Sequence, residues 1–212
     1  MKRAELHVHS TYSDGLDRVE RIVDEAVRLG IDAISITDHD TVEGSMAALD
    51  YVRDEHLDIE IIPGAEVSTS DGHLLVYYIE RDIDRGMSLM ETIGEVRKQN
   101  GICAVSHPFQ IERSGAFRIE LIKHADALEV FNAKYVVGIF NRISERIADK
   151  YRMAKIAGSD AHTANEVGYG LTLYTGNLKE AIAERKTEYS GRKMPLSRQI
   201  GYSLKKKFIR QF

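Results

Sequence analysis

The sequence contains a single cysteine, Cys103, and this scarcity limits what the chain can be. One cysteine forms no disulfide within the chain, so a disulfide-stapled scaffold is excluded, and we interpret Cys103 as a small core residue. No apolar run approaches the roughly 18–20 residues that a membrane-spanning helix needs. The N-terminus MKRAELHVHS also lacks the apolar stretch of a secretory signal peptide. These absences favour a cytoplasmic protein with no membrane partner.

Acidic residues are missing from the C-terminal part of the chain. Residues 189–212 contain seven Lys or Arg and no Asp or Glu, so residues 1–188 carry a charge of −11. An acidic body suits a site in which carboxylates bind cations. The basic segment either contacts a polyanion or packs on the acidic body, and we favour packing as a last amphipathic helix. Its apolar stripe recurs every four residues, at Ile200, Leu204, Phe208 and Phe212.

Short apolar stretches alternate with helical patterns along the chain, without repeats, low-complexity segments or linkers. This alternation predicts a single α/β domain over residues 1–188, with a parallel sheet covered by helices. Clusters of polar residues follow nearly every predicted strand. A barrel gathers all its strand ends into one ring, whereas an open sheet binds ligands mainly at one switch point, so the clusters favour a barrel. The strands are predicted at residues 4–8, 33–37, 59–62, 73–79, 102–105, 127–131 and 154–157.

The first polar cluster, LHVHSTYSDG, contains His7, His9 and Asp14. Residues i and i+2 of a strand point the same way, so the two imidazoles would share one face. Further residues of the metal-ligand type follow the later strands, and none is a thiolate. Such a set suits Zn, Mn or Fe and exceeds what one ion needs, so it predicts a multinuclear site for phosphoester hydrolysis. The inventory is His7, His9, Asp14, Asp38, His39, Glu66, His73, His107, Asp160 and His162.

In this order, the motifs HVHSTYSDG, ITDHDTVEG, GAEVS, SHP, EVFN and GSDAH resemble the PHP (polymerase and histidinol phosphatase) family of metal-dependent phosphoesterases. The resemblance covers about residues 4–175. It implies a distorted (β/α)7 TIM-like barrel with two to three divalent metal ions. It also implies three ligand groups: His7, His9, Glu66 and Asp160 around one ion; Glu66, His73 and His107 around a second; Asp14, His39 and His162 around a third.

The DG in SDG distinguishes this chain from many relatives, which have His where it has Asp14. This form resembles the branch that acts on nucleoside 3′,5′-bisphosphates and on 5′ ends of oligonucleotides. An oxygen ligand there moves the metal preference toward Mn or Mg. The expected activity is therefore hydrolysis of a nucleotide or of an oligonucleotide 5′ end by a metal-bound hydroxide, as in a 5′-3′ exonuclease. The alternatives are a small-molecule phosphomonoesterase, such as a histidinol phosphatase, and a non-catalytic metal-binding regulatory barrel.

Four further residues are candidates for assisting catalysis or binding the phosphate ester. Asp38 precedes a predicted ligand and would orient an imidazole, unless it only caps a helix. Arg113, in the loop after the SHP motif, would clamp a phosphate, unless it is an ordinary loop charge. Lys134 follows the EVFN motif at a predicted strand end, and Asn132, the last residue of that motif, resembles a family position near the site. Both are assigned to substrate binding. Asp38 and Arg113 are the predicted catalytic residues.

Overall fold

A computed structural model describes residues 1–109, 119–135, 137–199 and 201–202. In these ranges the chain forms one mixed α/β unit. The strands are β1 (Lys2–Glu5), β2 (Ala33–Ile34), β3 (Glu60–Ile61), β4 (Gly64–Thr69), β5 (Gly72–Tyr77), β6 (Ile102–Val105), β7 (Ala127–Asn132), β8 (Ala154–Gly158), β9 (Gly170–Tyr174) and β10 (Glu188–Gly191). The α-helices are α1 (Val19–Arg28), α2 (Glu43–Asp54), α3 (Leu89–Lys98), α4 (Ile119–Ile122), α5 (Ile139–Tyr151) and α6 (Leu178–Ala183).

The strands form two five-stranded sheets, in the orders β10-β9-β1-β2-β3 and β4-β5-β6-β7-β8. Neighbours are parallel within β1-β2-β3 and within β6-β7-β8. The prediction of an all-parallel sheet is wrong elsewhere, because β9 is antiparallel to β1 and β10, and β5 is antiparallel to β4 and β6. Only Ser70 and Asp71 separate β4 from β5, which is far too short for a parallel crossover.

The observed strands differ from the predicted ones at two places that matter for the site. The first strand ends at Glu5 rather than at residue 8, so His7 and His9 lie beyond it. Glu66, predicted in a loop, lies within β4, a strand that the sequence pattern did not indicate. In addition, β10 runs across position 189, where the sequence interpretation began the basic segment.

Backbone hydrogen bonds join the two sheets at two seams. At one seam, His9 N–H donates to Ala161 O at 2.7 Å. At the other, Glu66 N–H donates to Asp38 O at 3.1 Å. All four of these residues lie in or beside the polar motifs. The motifs are therefore brought together where the two sheets meet.

A shared apolar core lies between the two sheets. It combines Leu6, next to β1, with Leu75 and Tyr77 of β5 and Ile156 of β8. The buried Tyr77 hydroxyl donates to Leu6 O at 2.9 Å, which links the second sheet to the chain that follows β1. Helices cover the outside; α1, for example, buries one face at helical spacing, with Val19, Ile22, Val23 and Ala26.

Some residues singled out in the sequence lie outside the described ranges. These are Arg113 and the apolar stripe of the C-terminal segment, Ile200, Leu204, Phe208 and Phe212. Cys103 lies in β6 and is buried, as expected for a core residue. Within the described ranges, no helix combines the length and apolar character that crossing a bilayer requires.

Candidate metal centre

The nine residues that the family resemblance assigns as metal ligands converge at one end of the sheets. Their ligand atoms form four groups of three, and within each group these atoms lie within 4.8 Å of one another. The two sheets contribute to the same cluster because the seams bring their ends together. The groups are His7, His9 and Glu66; His7, His107 and Asp160; His9, Asp14 and His162; and His39, Glu66 and His73.

Glu66 occupies the middle of this cluster, and its carboxylate is almost fully buried. Five imidazole nitrogens lie within 3.4 Å of its two oxygens. The Ser106 hydroxyl also donates to Oε1 at 2.7 Å. Oε2 faces His7 Nε2 at 3.4 Å, His9 Nε2 at 3.3 Å and His39 Nδ1 at 3.4 Å, and Oε1 faces His73 Nδ1 at 3.3 Å and His107 Nε2 at 3.0 Å.

The orientation of His7 is set by Glu129, a buried residue of β7. Glu129 Oε1 lies 2.9 Å from His7 Nδ1, and a carboxylate only accepts, so Nδ1 carries the proton. In the neutral form of the ring, which metal binding requires, Nε2 would present a lone pair, and it lies 3.2 Å from His9 Nε2. Two imidazole nitrogens and Glu66 Oε2 thus point at one another, an arrangement that a cation would satisfy.

Further buried ring nitrogens support the fit to cations. Nδ1 of His9 and Nδ1 of His107 have no hydrogen-bond partner among the described residues. Buried polar atoms are nearly always satisfied in folded proteins, so such atoms need an explanation. His9 Nδ1 lies 3.8 Å from Asp14 Oδ1, on the side of the cluster that also includes His162. A cation between these groups would satisfy the imidazole of His9 and the carboxylate of Asp14 together.

The grouping differs in part from the one that the family resemblance implied. Asp14 and His162 are close, with Oδ1 and Nε2 3.2 Å apart, as that assignment requires. His39, however, is grouped with Glu66 and His73, and its Nε2 stays 3.8 Å from Asp14 Oδ1. His39 therefore lies between two groups. Which ion each side chain would bind is not fixed by residue type or sequence order alone.

Electrostatics favours the ligand forms of several of these groups. Burial opposes ionisation of Glu66, but the charges of protonated His7 and His73 outweigh it and hold the pKa of Glu66 well below its usual range. Against the effect of burial, Glu66 and Glu129 in turn raise the pKa of His7 well above that of a free imidazole, so a metal bound there would displace a proton. Burial, reinforced by the neighbouring His162 and His39, places the pKa of His9 well below that of a free imidazole. Burial and the Lys134 ammonium lower the pKa of His162 to about 4. An ionised carboxylate and neutral imidazoles are the forms that bind metals.

Lys134 and Asn132, predicted to bind substrate, lie against the cluster at the end of β7. The Lys134 ammonium is buried, lies 3.4 Å from Asp160 Oδ1 and contacts His162 Nδ1. Asn132 Nδ2 donates to Asp160 Oδ2 at 3.2 Å and to Glu129 Oε2 at 3.1 Å. Lys134 therefore contacts one oxygen of the Asp160 carboxylate, and Asn132 contacts the other.

Asp38 has different partners from those predicted. Its Oδ1 accepts from Ser10 N–H at 2.7 Å and from the Ser13 hydroxyl, and its Oδ2 accepts from the Ser10 hydroxyl at 2.6 Å. Among the described residues, no imidazole hydrogen-bonds to it, so the expectation that Asp38 orients an imidazole is corrected. Its carboxylate instead holds residues 10–13, the loop that leads to Asp14. Orienting an imidazole is the role that Glu129 fills.

At two positions in the motifs, steric contact explains why the residue is glycine. A Cβ atom at Gly158, in GSDAH, would collide with Cβ of His7. A Cβ atom at Gly44, in ITDHDTVEG, would collide with the carboxylate of Asp38. The close approach of the chain at these positions therefore requires glycine. The neighbouring Asp160 has a φ of 53°, a left-handed conformation that aspartate tolerates better than most residues.

Sequence reasoning missed two residues that contact the cluster. Ser106, next to the predicted His107, donates to Glu66, whereas the sequence pattern marks it only as part of the SHP motif. Tyr202 hydrogen-bonds to Asp14, although it belongs to the basic C-terminal segment. The position of Ser106 beside a ligand was a usable signal. Tyr202 carries no local signal, because its contact spans 188 positions of sequence.

Curated relatives of the chain include one without an assigned function and two with named activities. An uncharacterised protein of Methanocaldococcus jannaschii is 29% identical over 67% of this chain and 88% of its own length. The phosphoribosyl 1,2-cyclic phosphate 1,2-diphosphodiesterase of Eggerthella lenta is 40% identical over 32% of this chain. The 5′-3′ exoribonuclease Rnm of Salmonella typhimurium is 36% identical over 38% of it. These matches cover 25% and 27% of the two named enzymes.

A solved structure supports the same fold. A two-domain protein from Bacteroides vulgatus, containing a predicted PHP-like metal-dependent phosphoesterase, superposes with a TM-score of 0.75. The match covers 90% of this chain and 65% of that protein, at 20% identity. The family model described as PHP domain matches residues 5–172, a range that contains all nine clustered residues. The chain therefore belongs to the PHP domain family.

Proposed function

We propose that this chain is a metal-dependent phosphoric ester hydrolase that acts on nucleotides or on the 5′ ends of oligonucleotides. The observation that carries the proposal is the Glu66 carboxylate, buried and faced by five imidazole nitrogens. Two more carboxylates, Asp14 and Asp160, lie in the same cluster. Imidazole and carboxylate without thiolate suit Mn, Zn or Fe, and an oxygen-rich edge suits Mg as well.

The proposed centre holds two to three ions. Both oxygens of Glu66 face imidazoles, so this carboxylate is arranged to bridge. His7, His9 and Glu66 each belong to two of the four groups of possible ligands. The nine residues of these groups offer more ligand atoms than a single ion accepts. When bound, the ions would lower the pKa of a coordinated water and neutralise the charge of the phosphate oxygens.

The remaining residues have defined tasks in this proposal. Hydrolysis forms a bond from a water oxygen to phosphorus, breaks the bond to the leaving alcohol, and transfers a proton to that alcohol. Lys134 supplies a positive charge beside Asp160, where a phosphate oxygen would be stabilised. Glu129 keeps His7 in one tautomer. Asp38 is retained as a positioning residue of the 10–13 loop, and Arg113 remains a sequence-based candidate for a phosphate clamp.

The more exposed edge of the cluster indicates where the substrate enters. Asp14 and His39 have side chains that are 23% and 29% exposed, whereas Glu66 and His7 are almost completely buried. A phosphate group would therefore approach at Asp14 and His39. The alcohol attached to it would remain toward solvent, which accommodates a nucleoside or a longer chain.

Two kinds of phosphate ester are compatible with the named relatives. The similarity to an exoribonuclease supports an oligonucleotide substrate, and the SDG motif supports the same choice. The similarity to a cyclic phosphate diphosphodiesterase supports a small phosphodiester as the second candidate. A histidinol phosphatase-like monoesterase and a non-catalytic barrel are the remaining alternatives from the sequence.

A comparison of substrates tests the proposal. The Mn²⁺-loaded protein is incubated with a 5′-phosphorylated oligonucleotide, with bis(p-nitrophenyl) phosphate and with p-nitrophenyl phosphate, each with and without a chelator. We expect chelator-sensitive release of mononucleotides from the oligonucleotide. Hydrolysis of only the diester or the monoester would reject the oligonucleotide substrate and support a small one. No hydrolysis by a metal-loaded protein would favour the non-catalytic alternative.

We also propose that the two sheets together close into a distorted TIM-like barrel, the architecture that the resemblance implies, although they contain ten strands rather than the seven of a (β/α)7 barrel. The backbone hydrogen bonds at both seams and the shared core between the sheets support this closure. The Thr172 hydroxyl of β9 also accepts from Ala157 N–H of β8 at 2.9 Å.

The cytoplasmic location stays a prediction from the sequence.

A further inference from the structure

Tyr202 lies on the candidate metal centre, far in sequence from the motifs that form it. Its hydroxyl lies within donating distance of two oxygens of Asp14, the backbone oxygen at 3.1 Å and Oδ2 at 3.2 Å. Its ring meets the His162 imidazole edge to face, with centroids 4.7 Å apart and planes at 70°. The Lys134 ammonium lies over the ring, 5.1 Å from its centroid. One side chain thus contacts three members of the site.

The two carboxylate oxygens of Asp14 have different contacts. Oδ2 accepts from Tyr202, whereas Oδ1 faces His162 Nε2 at 3.2 Å and His9 Nδ1 at 3.8 Å. A donor on one carboxylate oxygen limits rotation of the group and directs the other oxygen into the cluster. Asp14 is also one of the more exposed members of the cluster. Packing therefore restricts the orientation of its carboxylate less than it restricts that of the buried Glu66.

The ring of Tyr202 also restricts the position of the Lys134 ammonium. The Lys134 ammonium is buried between the Asp160 carboxylate, the His162 imidazole and the face of Tyr202. An aromatic face attracts a cation and also excludes water from it. The ring therefore restricts the ammonium to the side of the cluster where the proposed phosphate is bound.

We propose that Tyr202 is a positioning residue of the metal centre, which orients Asp14 for metal binding and Lys134 for the phosphate. This inference rests on the proposed function. Tyr202 lies beyond residues 5–172, the range that the family model matches. The segment after β10 therefore completes, in this chain, a site whose other parts come from the matched region.

The first test measures metal binding, which is independent of turnover. In Tyr202→Phe the ring remains and the hydroxyl is lost, so we expect at least one Mn²⁺ ion to bind about tenfold more weakly by titration calorimetry. Tyr51→Phe is the matched control, because it removes another tyrosine–aspartate hydrogen bond, 2.9 Å to Asp24, on the outer helices. Equal Mn²⁺ affinity in Tyr202→Phe and in the wild type would overturn the orienting role of the hydroxyl.

The second test separates the ring from the hydroxyl. In Tyr202→Leu both are lost, so KM for a phosphate ester should rise more than in Tyr202→Phe. A lower melting temperature with unchanged Mn²⁺ affinity and unchanged KM would show that Tyr202 is only structural. If the wild type binds Mn²⁺ but hydrolyses no phosphate ester, the proposed function fails, whereas the calorimetric comparison still decides the role of Tyr202 toward Asp14.

The third test checks the position itself. The chain has no tryptophan, so Tyr202→Trp introduces a single fluorophore of this kind. Mn²⁺ is a paramagnetic quencher that acts at short range, so emission should fall as the centre is filled. Emission that does not respond to saturating Mn²⁺ would place residue 202 away from the centre and overturn the inference.

Discussion

Glu129 Oε1 accepts a hydrogen bond from His7 Nδ1 at 2.9 Å, and this contact decides which imidazole nitrogen faces the metal centre. The other oxygen, Oε2, accepts from the His107 backbone N–H at 2.7 Å. One carboxylate on β7 therefore positions a side chain that follows β1 and the backbone that follows β6. The arrangement of the centre depends on this residue, although it is not itself in any of the ligand groups.

Replacement of Glu129 by Gln should weaken metal binding. An amide oxygen can serve only one of the two donors, and the amide nitrogen would oppose the other. We expect the Mn²⁺ affinity to fall by about 10- to 100-fold, as is usual when a partner that orients a ligand is lost. Titration calorimetry measures this, with the more exposed Glu145→Gln as the control. An affinity within twofold of the wild type would contradict the assigned role.

Replacement of Asp160 by Ala should abolish turnover while leaving the fold largely intact. The carboxylate belongs to a candidate ligand group and also faces the buried Lys134 ammonium, which keeps its contacts with His162 and Tyr202. Phosphate release and circular dichroism are measured in parallel. Asp50→Ala removes an exposed aspartate from α2 and serves as the control. Normal turnover in Asp160→Ala would refute its assignment as a ligand.

Replacement of Tyr77 by Phe should lower the free energy of unfolding by about 1–2 kcal/mol, because a buried hydrogen bond is lost and Leu6 O loses its donor. The bond connects the two sheets, so the site itself should be affected little. Urea unfolding gives the value. Tyr51→Phe, which removes a hydrogen bond between surface helices, should cost less. An equal loss in both variants would mean that the link between the sheets has no special role.

Cys103 should resist thiol reagents in the folded protein. Its side chain is 1% exposed, and burial raises the pKa of the thiol to about 12, so little thiolate exists at pH 8. Iodoacetamide should label the chain only after denaturation, as followed by mass spectrometry. Asp50→Cys provides an exposed thiol that should react at once. Rapid labelling of the native wild type would contradict the burial of β6.

The convergence of most of the site residues was predictable because they lie in short motifs near strand ends. His7, His107 and Asp160 all come just after strands whose ends face the same region. Local patterns of apolar and polar residues indicate such positions. The grouping of the ligands came from the family resemblance. The glycine of GSDAH is another local signal, since Gly158 is required by its contact with His7.

Other features depend on contacts that no local pattern encodes. The antiparallel pairing of β4 with β5 places Glu66 in a strand, although the flanking apolar run is too short to indicate one. The partners of Asp38 are serines of a loop that lies 25–28 positions away. Tyr202 reaches Asp14 across 188 positions. Such long-range contacts are set by tertiary packing, so periodicity and spacing did not reveal them.

The cluster around Glu66 should bind divalent cations, and the metal content of the protein measures this binding. The protein is dialysed against Mn²⁺, and bound metal per chain is counted by inductively coupled plasma mass spectrometry, beside a Glu66→Gln variant. The expectation is two to three ions in the wild type and a clear loss in the variant, because Glu66 faces five imidazole nitrogens. Less than one ion in the wild type, or equal content in both proteins, would contradict it.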